Sequence, residues 1–287
     1  MNEPGTPRVA VYLDFDNIVI SRYDQIHGRN SFQRDKTAGF HKAPGRLTTA
    51  TVDVGAIIDF ASSFGTLVLT KAYADWSVDV NAEYRGQLVG RAVDLVQLFP
   101  AAAYAKNGAD IRLAVDAVED MFRLPDLTHV VIVAGDSDYI ALAQRCKRLG
   151  RYVVGIGITG SISRSLTAAC DEFVSYDALP GVPVAAPKKR ASRAKTQEPD
   201  DEPEQPDPQA AATGLLERAL RIGHEKDDAD WLHNSAVKAQ MKRMDPSFSE
   251  KSLGFKSFSD FLRSCTDVVD LDESSTICMV RLKPAAT

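Results

Sequence analysis

Val9-Ala-Val-Tyr-Leu-Asp14-Phe-Asp-Asn17 is a compact apolar run that ends in acid. A short run of buried-type residues with a polar end reads as a strand covered on both faces. Outward from it, strand and helix patterns alternate. Val54, Ile57, Ile58 and Ala61 recur at helical spacing, and residues 66–69 form a second strand pattern. Residues 83–92 read as helix and 93–99 as strand. Ile111, Ala114, Val115, Val118, Met121 and Phe122 mark an amphipathic helix. Residues 129–134 read as a buried strand, 140–149 as a helix ending at Gly150, and 152–156 as another strand. The alternation predicts an α/β domain with a parallel sheet flanked by helices on both faces.

The chain has 287 residues, 44% apolar, 25% charged and 8% aromatic. Those are globular values, which exclude fibre, coiled coil and wholesale disorder. The length suffices for one large domain or two smaller ones, each with a core. With 34 Lys and Arg against 39 Asp and Glu, the net charge is −5. That excludes a strongly basic coat for nucleic acid but leaves a local basic surface open. Met1-Asn-Glu-Pro-Gly5 shows no apolar region of a signal peptide. The longest apolar runs, such as Val130-Val-Ile-Val-Ala134, are strand-sized rather than membrane-spanning. Cys146, Cys170, Cys265 and Cys278 form neither Cys-x-x-Cys nor a zinc spacing with histidine, and read as buried reduced thiols. A cytoplasmic protein without membrane contact is expected, and monomer and homo-oligomer both stay open.

Residues 181–212 differ from the rest. They hold Pro183, Pro187, Pro199, Pro203, Pro206 and Pro208, a basic cluster from Lys188 to Lys195, then an acidic one from Glu198 to Asp207. Such a segment buries too little apolar surface to offset its ordering entropy and reads as a flexible linker. It separates a module at 6–180 from a smaller one at 213–287. In the latter, Leu215, Leu216, Ala219, Leu220 and Ile222 suggest one helix, with others at 235–244 and 258–265. Segments 268–271 and 276–282 pair as a hairpin, so a small winged-helix-like domain is expected.

Aspartates stand just beyond the predicted strands. Strand one runs into Asp14-Phe-Asp-Asn17, and the strand at 129–134 runs into Gly135-Asp-Ser-Asp138. Asp110 opens the helix after Lys106-Asn-Gly-Ala109. In a parallel sheet all carboxyl ends share one edge, so residues remote in sequence converge there. Two such charges about 4 Å apart repel by around 4 kcal/mol at an effective dielectric of 20. A group of them takes up protons or binds a divalent cation, and oxygen-only ligands favour Mg²⁺ or Mn²⁺. Plainer roles also fit: Asp110 as a helix-start residue, Asp138 as a cap, Asp16 as a loop acid, Asp116 as an ion-paired face residue. Asp14 and Asp136 directly follow buried-type runs, where an unpaired carboxylate is expensive.

These motifs, with Ala72-Tyr-Ala-Asp-Trp76, Ala109-Asp-Ile-Arg-Leu-Ala-Val-Asp116 and Cys170-Asp-Glu-Phe173, resemble the NYN domain. That domain belongs to the PIN-like nucleases, and its bacterial branch is often called LabA-like. The resemblance spans most of residues 8–177. It implies a PIN-like Rossmannoid sheet and a metal-dependent ribonuclease using Mg²⁺ or Mn²⁺. Asp14, Asp110, Asp136 and Asp138 would be metal-binding or catalytic acids, Asn17 a supporting polar residue and Asp116 a weaker candidate. Where the family often has Gly-Glu before the asparagine, this chain has Phe15-Asp16. Trp231-Leu232, Asp245-Pro-Ser-Phe248 and Leu253-Gly-Phe-Lys-Ser-Phe-Ser-Asp-Phe-Leu262 resemble the LOTUS domain, also called OST-HTH, which is associated with RNA and protein binding. Phe255, Phe258, Phe261 and Leu262 read as core, while Lys256, Lys251, Lys238, Lys242 and Arg243 suit phosphate contacts.

A segment at 21–46 reads as a long loop after strand one. It carries Arg22, Arg29, Arg34, Lys36, Lys42 and Arg46 beside Phe32 and Phe40, and is expected to guide an RNA strand through Arg29, Arg34 and Lys42. Two other readings compete with the ribonuclease. A haloacid-dehalogenase-type phosphatase also has Asp-x-Asp after strand one, as in Asp14-Phe-Asp16, but offers no counterpart to Asp110. A catalytically inactive RNA-binding scaffold is the other.

Overall fold

The opening run forms β1, Arg8–Asp14, and every residue in it after Arg8 is buried. The computed structural model describes residues 5–42, 44–99, 108–183, 207–227, 230–274 and 278–283. The chain divides into two units, residues 1–184 and 185–287.

In the first unit β1 is joined by β2 (Thr66–Ala74), β3 (Asp94–Gln97), β4 (His129–Val133), β5 (Tyr152–Gly157) and β6 (Glu172–Ser175). The six lie in the order β3-β2-β1-β4-β5-β6, and every neighbouring pair is parallel. The chain winds outward from β1 to one edge, then returns beside β1 and winds to the other. Strand order therefore reverses between β1 and β4, where open α/β sheets build their sites. Leu13 pairs with Val133, so the residues that leave these two strands emerge side by side.

Helices α1 (Phe15–His27), α2 (Ser31–Ala38), α3 (Pro44–Thr49) and α4 (Val54–Ser62) separate β1 from β2. Two short helices, α5 (Asp79–Ala82) and α6 (Arg85–Gly90), separate β2 from β3. Then α7 (Gly108–Arg123) leads to β4, α8 (Ile140–Arg148) to β5 and α9 (Arg164–Ala169) to β6. Alternate residues of β1 face opposite layers. Val9, Val11 and Leu13 pack with Ile18, Val19, Ile57 and Ala61, whereas Ala10 and Tyr12 pack with Leu113, Ala117 and Leu142. This two-faced burial is why β1 and β4 read as unbroken apolar runs.

The expected loop at 21–46 is a correction. The chain turns helical at Phe15, and α1, α2, a 3-10 turn at Phe40–Lys42 and α3 occupy the segment. Ile18-Val-Ile20 has the β-branched character that disfavours helix in isolation. Burial of Ile18, Val19 and Tyr23 against the sheet outweighs that preference. Phe32 and Phe40 are not displayed for stacking on bases. They pack on Tyr23, with ring centroids 5.5 and 5.8 Å away. The helix expected at 83–92 is shorter, α6, and two elements beyond those expected, α9 and β6, complete the sheet's far edge.

The second unit has α10 (Pro208–Asp227), β7 (Leu232–His233), α11 (Asn234–Met244), α12 (Phe258–Ser264), β8 (Val269–Asp272) and β9 (Met279–Leu282). Its antiparallel sheet runs β7-β9-β8, and Leu216, Leu220, Val237, Met241, Phe258, Phe261, Leu262 and Val280 form its core. Phe255 packs on that core half-buried. Of the segment expected as a linker, residues 184–206 lie outside the described residues, and α10 begins at Pro208.

Candidate metal centre

Asp14 ends β1 and caps α1, its Oδ1 accepting the Asn17 N–H at 3.2 Å. Asp136 follows β4 and caps the 3-10 turn Ser137–Tyr139, its Oδ1 accepting the Asp138 N–H at 3.2 Å. Asp110 lies in the first turn of α7. Each acid thus stands at the start of a helical segment, where peptide dipoles favour negative charge. Gly135 lets β4 end close to the loop after β5, since a Cβ there would stand 2.8 Å from the Ser161 carbonyl oxygen.

The three acids meet. One carboxylate oxygen from each of Asp14, Asp110 and Asp136 lies within 4.8 Å of the other two. Burial is the main cause that raises the Asp14 carboxyl to about 7, and the charges of Asp110 and Asp136 add to it. Asp136 rises to about 6, first through burial and then through Asp110. Burial also raises Asp110, and Asp138 pushes the same way. Among the described residues, no ion pair involves any of these acids. Three crowded oxygen donors without a cationic partner fit a divalent ion of the Mg²⁺ or Mn²⁺ kind.

Two neutral side chains hold the triad. Asn17 donates from Nδ2 to Asp136 Oδ2 at 2.8 Å, and its Oδ1 accepts the Gly135 N–H at 3.4 Å. Tyr139, fully buried, places its hydroxyl 2.8 Å from Asp14 Oδ2 and 2.9 Å from Asp110 Oδ1. Burial and the two carboxylates push this phenol far above its ordinary range, so it remains a donor. Tyr139 escapes a reading of the sequence because an aromatic ring after Asp138 serves the core equally well without its hydroxyl.

Other expected residues fall in different places. Asp138 is exposed beside Asp110 and is not one of the three converging acids. Asp16 points to the β2 end of the sheet, its Oδ1 accepting from Asn81 Nδ2 at 2.6 Å and its Oδ2 from the Asp75 N–H at 3.3 Å. Asp116 accepts from the Tyr73 hydroxyl at 3.0 Å and from Arg112 at 2.9 Å. One turn on, Asp120 accepts from Tyr12 at 3.1 Å and from Lys71 at 2.6 Å. Three buried tyrosines therefore each meet an aspartate of α7 and fix its register on the sheet. Asp116 is one of these structural acids rather than a member of the triad.

Arg29, Arg34 and Lys42 are exposed on the segment between α1 and α3, and Arg34 reaches Ser31 Oγ at 2.8 Å. Arg46 pairs with Asp35 at 2.8 Å. Lys256 is exposed just before α12, whereas Lys238 is held by Glu250 at 2.6 Å.

The model of the family described as the NYN domain matches residues 8–177, and that of the OST-HTH/LOTUS domain matches residues 206–277. Among solved structures, the chain is similar to a protein of unknown function from Vibrio parahaemolyticus. That match covers 61% of this chain and 96% of the other, at 20% identity and a TM-score of 0.44. No curated protein matches the chain.

Proposed function

The chain belongs to the NYN domain family and carries an OST-HTH/LOTUS domain, and from that premise we propose that it is a metal-dependent ribonuclease with an appended RNA-binding module. The observation that carries this reading is the convergence of Asp14, Asp110 and Asp136 at the point where strand order reverses. These three would hold Mg²⁺ or Mn²⁺. A cation bound there lowers the pKa of water and offsets the charge that develops on a phosphodiester. Asn17 keeps Asp136 oriented, and Tyr139 keeps Asp14 and Asp110 at a fixed separation. Asp138, exposed at the rim, orders the attacking water or takes its proton.

Arg29, Arg34 and Lys42 supply the charged path for the RNA strand, and Lys256 a phosphate contact in the second unit. Burial raises the Asp16 carboxyl, and Asn81, the Asp75 amide and the charge of Lys36 on α2 act against that rise. The phosphatase alternative finds less support, because Asn81 and Asp75 occupy the second acid it needs, Asp16. Among the described residues no helix is long and apolar enough to cross a membrane, and the four thiols are unpaired. The thiols fit a reducing cytoplasm.

The test is to incubate labelled RNA and DNA with the full chain in Mg²⁺, Mn²⁺ or chelator, beside Asp136→Asn. Cleavage of RNA that needs metal and disappears in the variant supports the proposal. Metal binding without turnover replaces it with an RNA-binding scaffold, and cleavage that survives in Asp136→Asn removes the assignment.

A further inference from the structure

Helix α7 has two apolar sides. Leu113, Ala117 and Met121 face the sheet and are buried. On its outer side, Ile111, Val115 and Phe122 are 64%, 57% and 70% exposed, with Val118 half-buried between them. At 3.6 residues per turn these four fall within roughly 60° of one another. Single exposed apolar residues are ordinary, but a contiguous stripe marks a contact surface.

The stripe reads the same from either end, because its spacing is four, three and four residues. Its midpoint falls between Asp116 and Ala117, near the centre of the helix. A second copy laid antiparallel would set Ile111 against the partner's Phe122 and Val115 against the partner's Val118. The charges obey the same symmetry. Arg112 and Glu119 border the stripe on one edge, and the antiparallel twofold brings each within about 3 Å, along the axis, of the partner's opposite charge. Arg112 itself is exposed and reaches the buried Asp116 through Nε at 2.9 Å, while Glu119 meets Arg123 at 3.3 Å in an exposed pair within the helix. The exposed Glu119–Arg123 pair is weakly held and can rearrange, and the terminal nitrogens of Arg112 can turn to a partner while Nε keeps Asp116.

We infer that α7 is the interface of a homodimer, isologous about this twofold. The occupant is a second copy because both the apolar spacing and the charge pattern are complementary to themselves. Asp110 projects toward the sheet side rather than from the stripe, so both sites stay open. The inference does not depend on the chemistry proposed for those sites.

Sedimentation velocity on the full chain tests it. The unaltered chain is expected at dimer mass at about 50 µM. Val115→Glu, at an exposed position, is expected at monomer mass with an unchanged circular dichroism spectrum. Glu119→Arg is expected to weaken the dimer roughly tenfold, and adding Arg112→Glu to restore it to within about threefold. A chain that is monomeric at about 100 µM, as when another part of the same chain covers the stripe, overturns the inference. So does a dimer that survives Val115→Glu, or a charge exchange without rescue.

Discussion

The hydroxyl of Tyr139 sits 2.8 Å from Oδ2 of Asp14, with both side chains buried. It also lies 2.9 Å from Asp110, so one phenol joins the end of β1 to the start of α7. Tyr139→Phe keeps the ring and removes the donor. Outer groups that orient metal ligands are typically worth 10- to 100-fold in affinity, and a loss of about that size is expected for Mn²⁺. Calorimetric titration checks it, and unchanged affinity would reduce this bond to packing.

Burial of the Asp14 carboxyl, with a smaller push from its acidic neighbours, predicts how stability depends on pH without metal. The Asp14 carboxyl is raised to about 7. A group raised in the folded state favours folding at low pH and loses that contribution as pH rises from its unfolded value toward the folded one. The metal-free protein therefore accrues a cost as pH rises from about 4 to 7 and keeps it above that, at most about 4 kcal/mol from the three-unit rise. Asp14→Asn keeps a good helix cap and removes the charge. It should melt above the unaltered protein at pH 7.5 in chelator, with the gap closing toward pH 4. A gap independent of pH counts against the buried charge as its cause.

Asp16 ties α1 to the loop after β2 through Asn81 and the Asp75 amide. Asp16→Ala leaves the buried amide of Asn81 without its short contact, and a stability loss of about 1–3 kcal/mol is expected. Mn²⁺ affinity should stay within a few-fold of the original. Denaturant titration and metal titration together decide it. A stable variant that no longer binds metal would make Asp16 a ligand.

Neutralising Arg29, Arg34 and Lys42 together should weaken RNA binding and flatten its salt dependence. Each lost phosphate contact lowers the slope by about 0.7 for a single strand. Metal affinity should not move, since none of the three touches the acids. An unchanged salt slope, read from filter binding at several ionic strengths, would remove them from the RNA path.

The sheet and most of the site were legible in the sequence for one geometric reason. Carboxyl ends of parallel strands share an edge, so acids that follow β1 and β4 must be neighbours once those strands pair. Asp14 and Asp136 announce themselves by following apolar runs. The helices at 15–49 do not, because Ile18-Val-Ile20 looks like a strand until the sheet's face is there to bury it.

Local pattern alone thus determined the α/β order and which strand ends bear acid. Only the tertiary structure decided which acids converge. Asp110 and Asp116 share one helix, but six residues carry the chain about 9 Å along the axis and a third of a turn around it. One therefore reaches the triad while the other meets Tyr73. That choice depends on how α7 is rotated and seated on the sheet, and the seating comes from contacts among Tyr12, Tyr73, Tyr139 and the helix, which lie far apart in the chain.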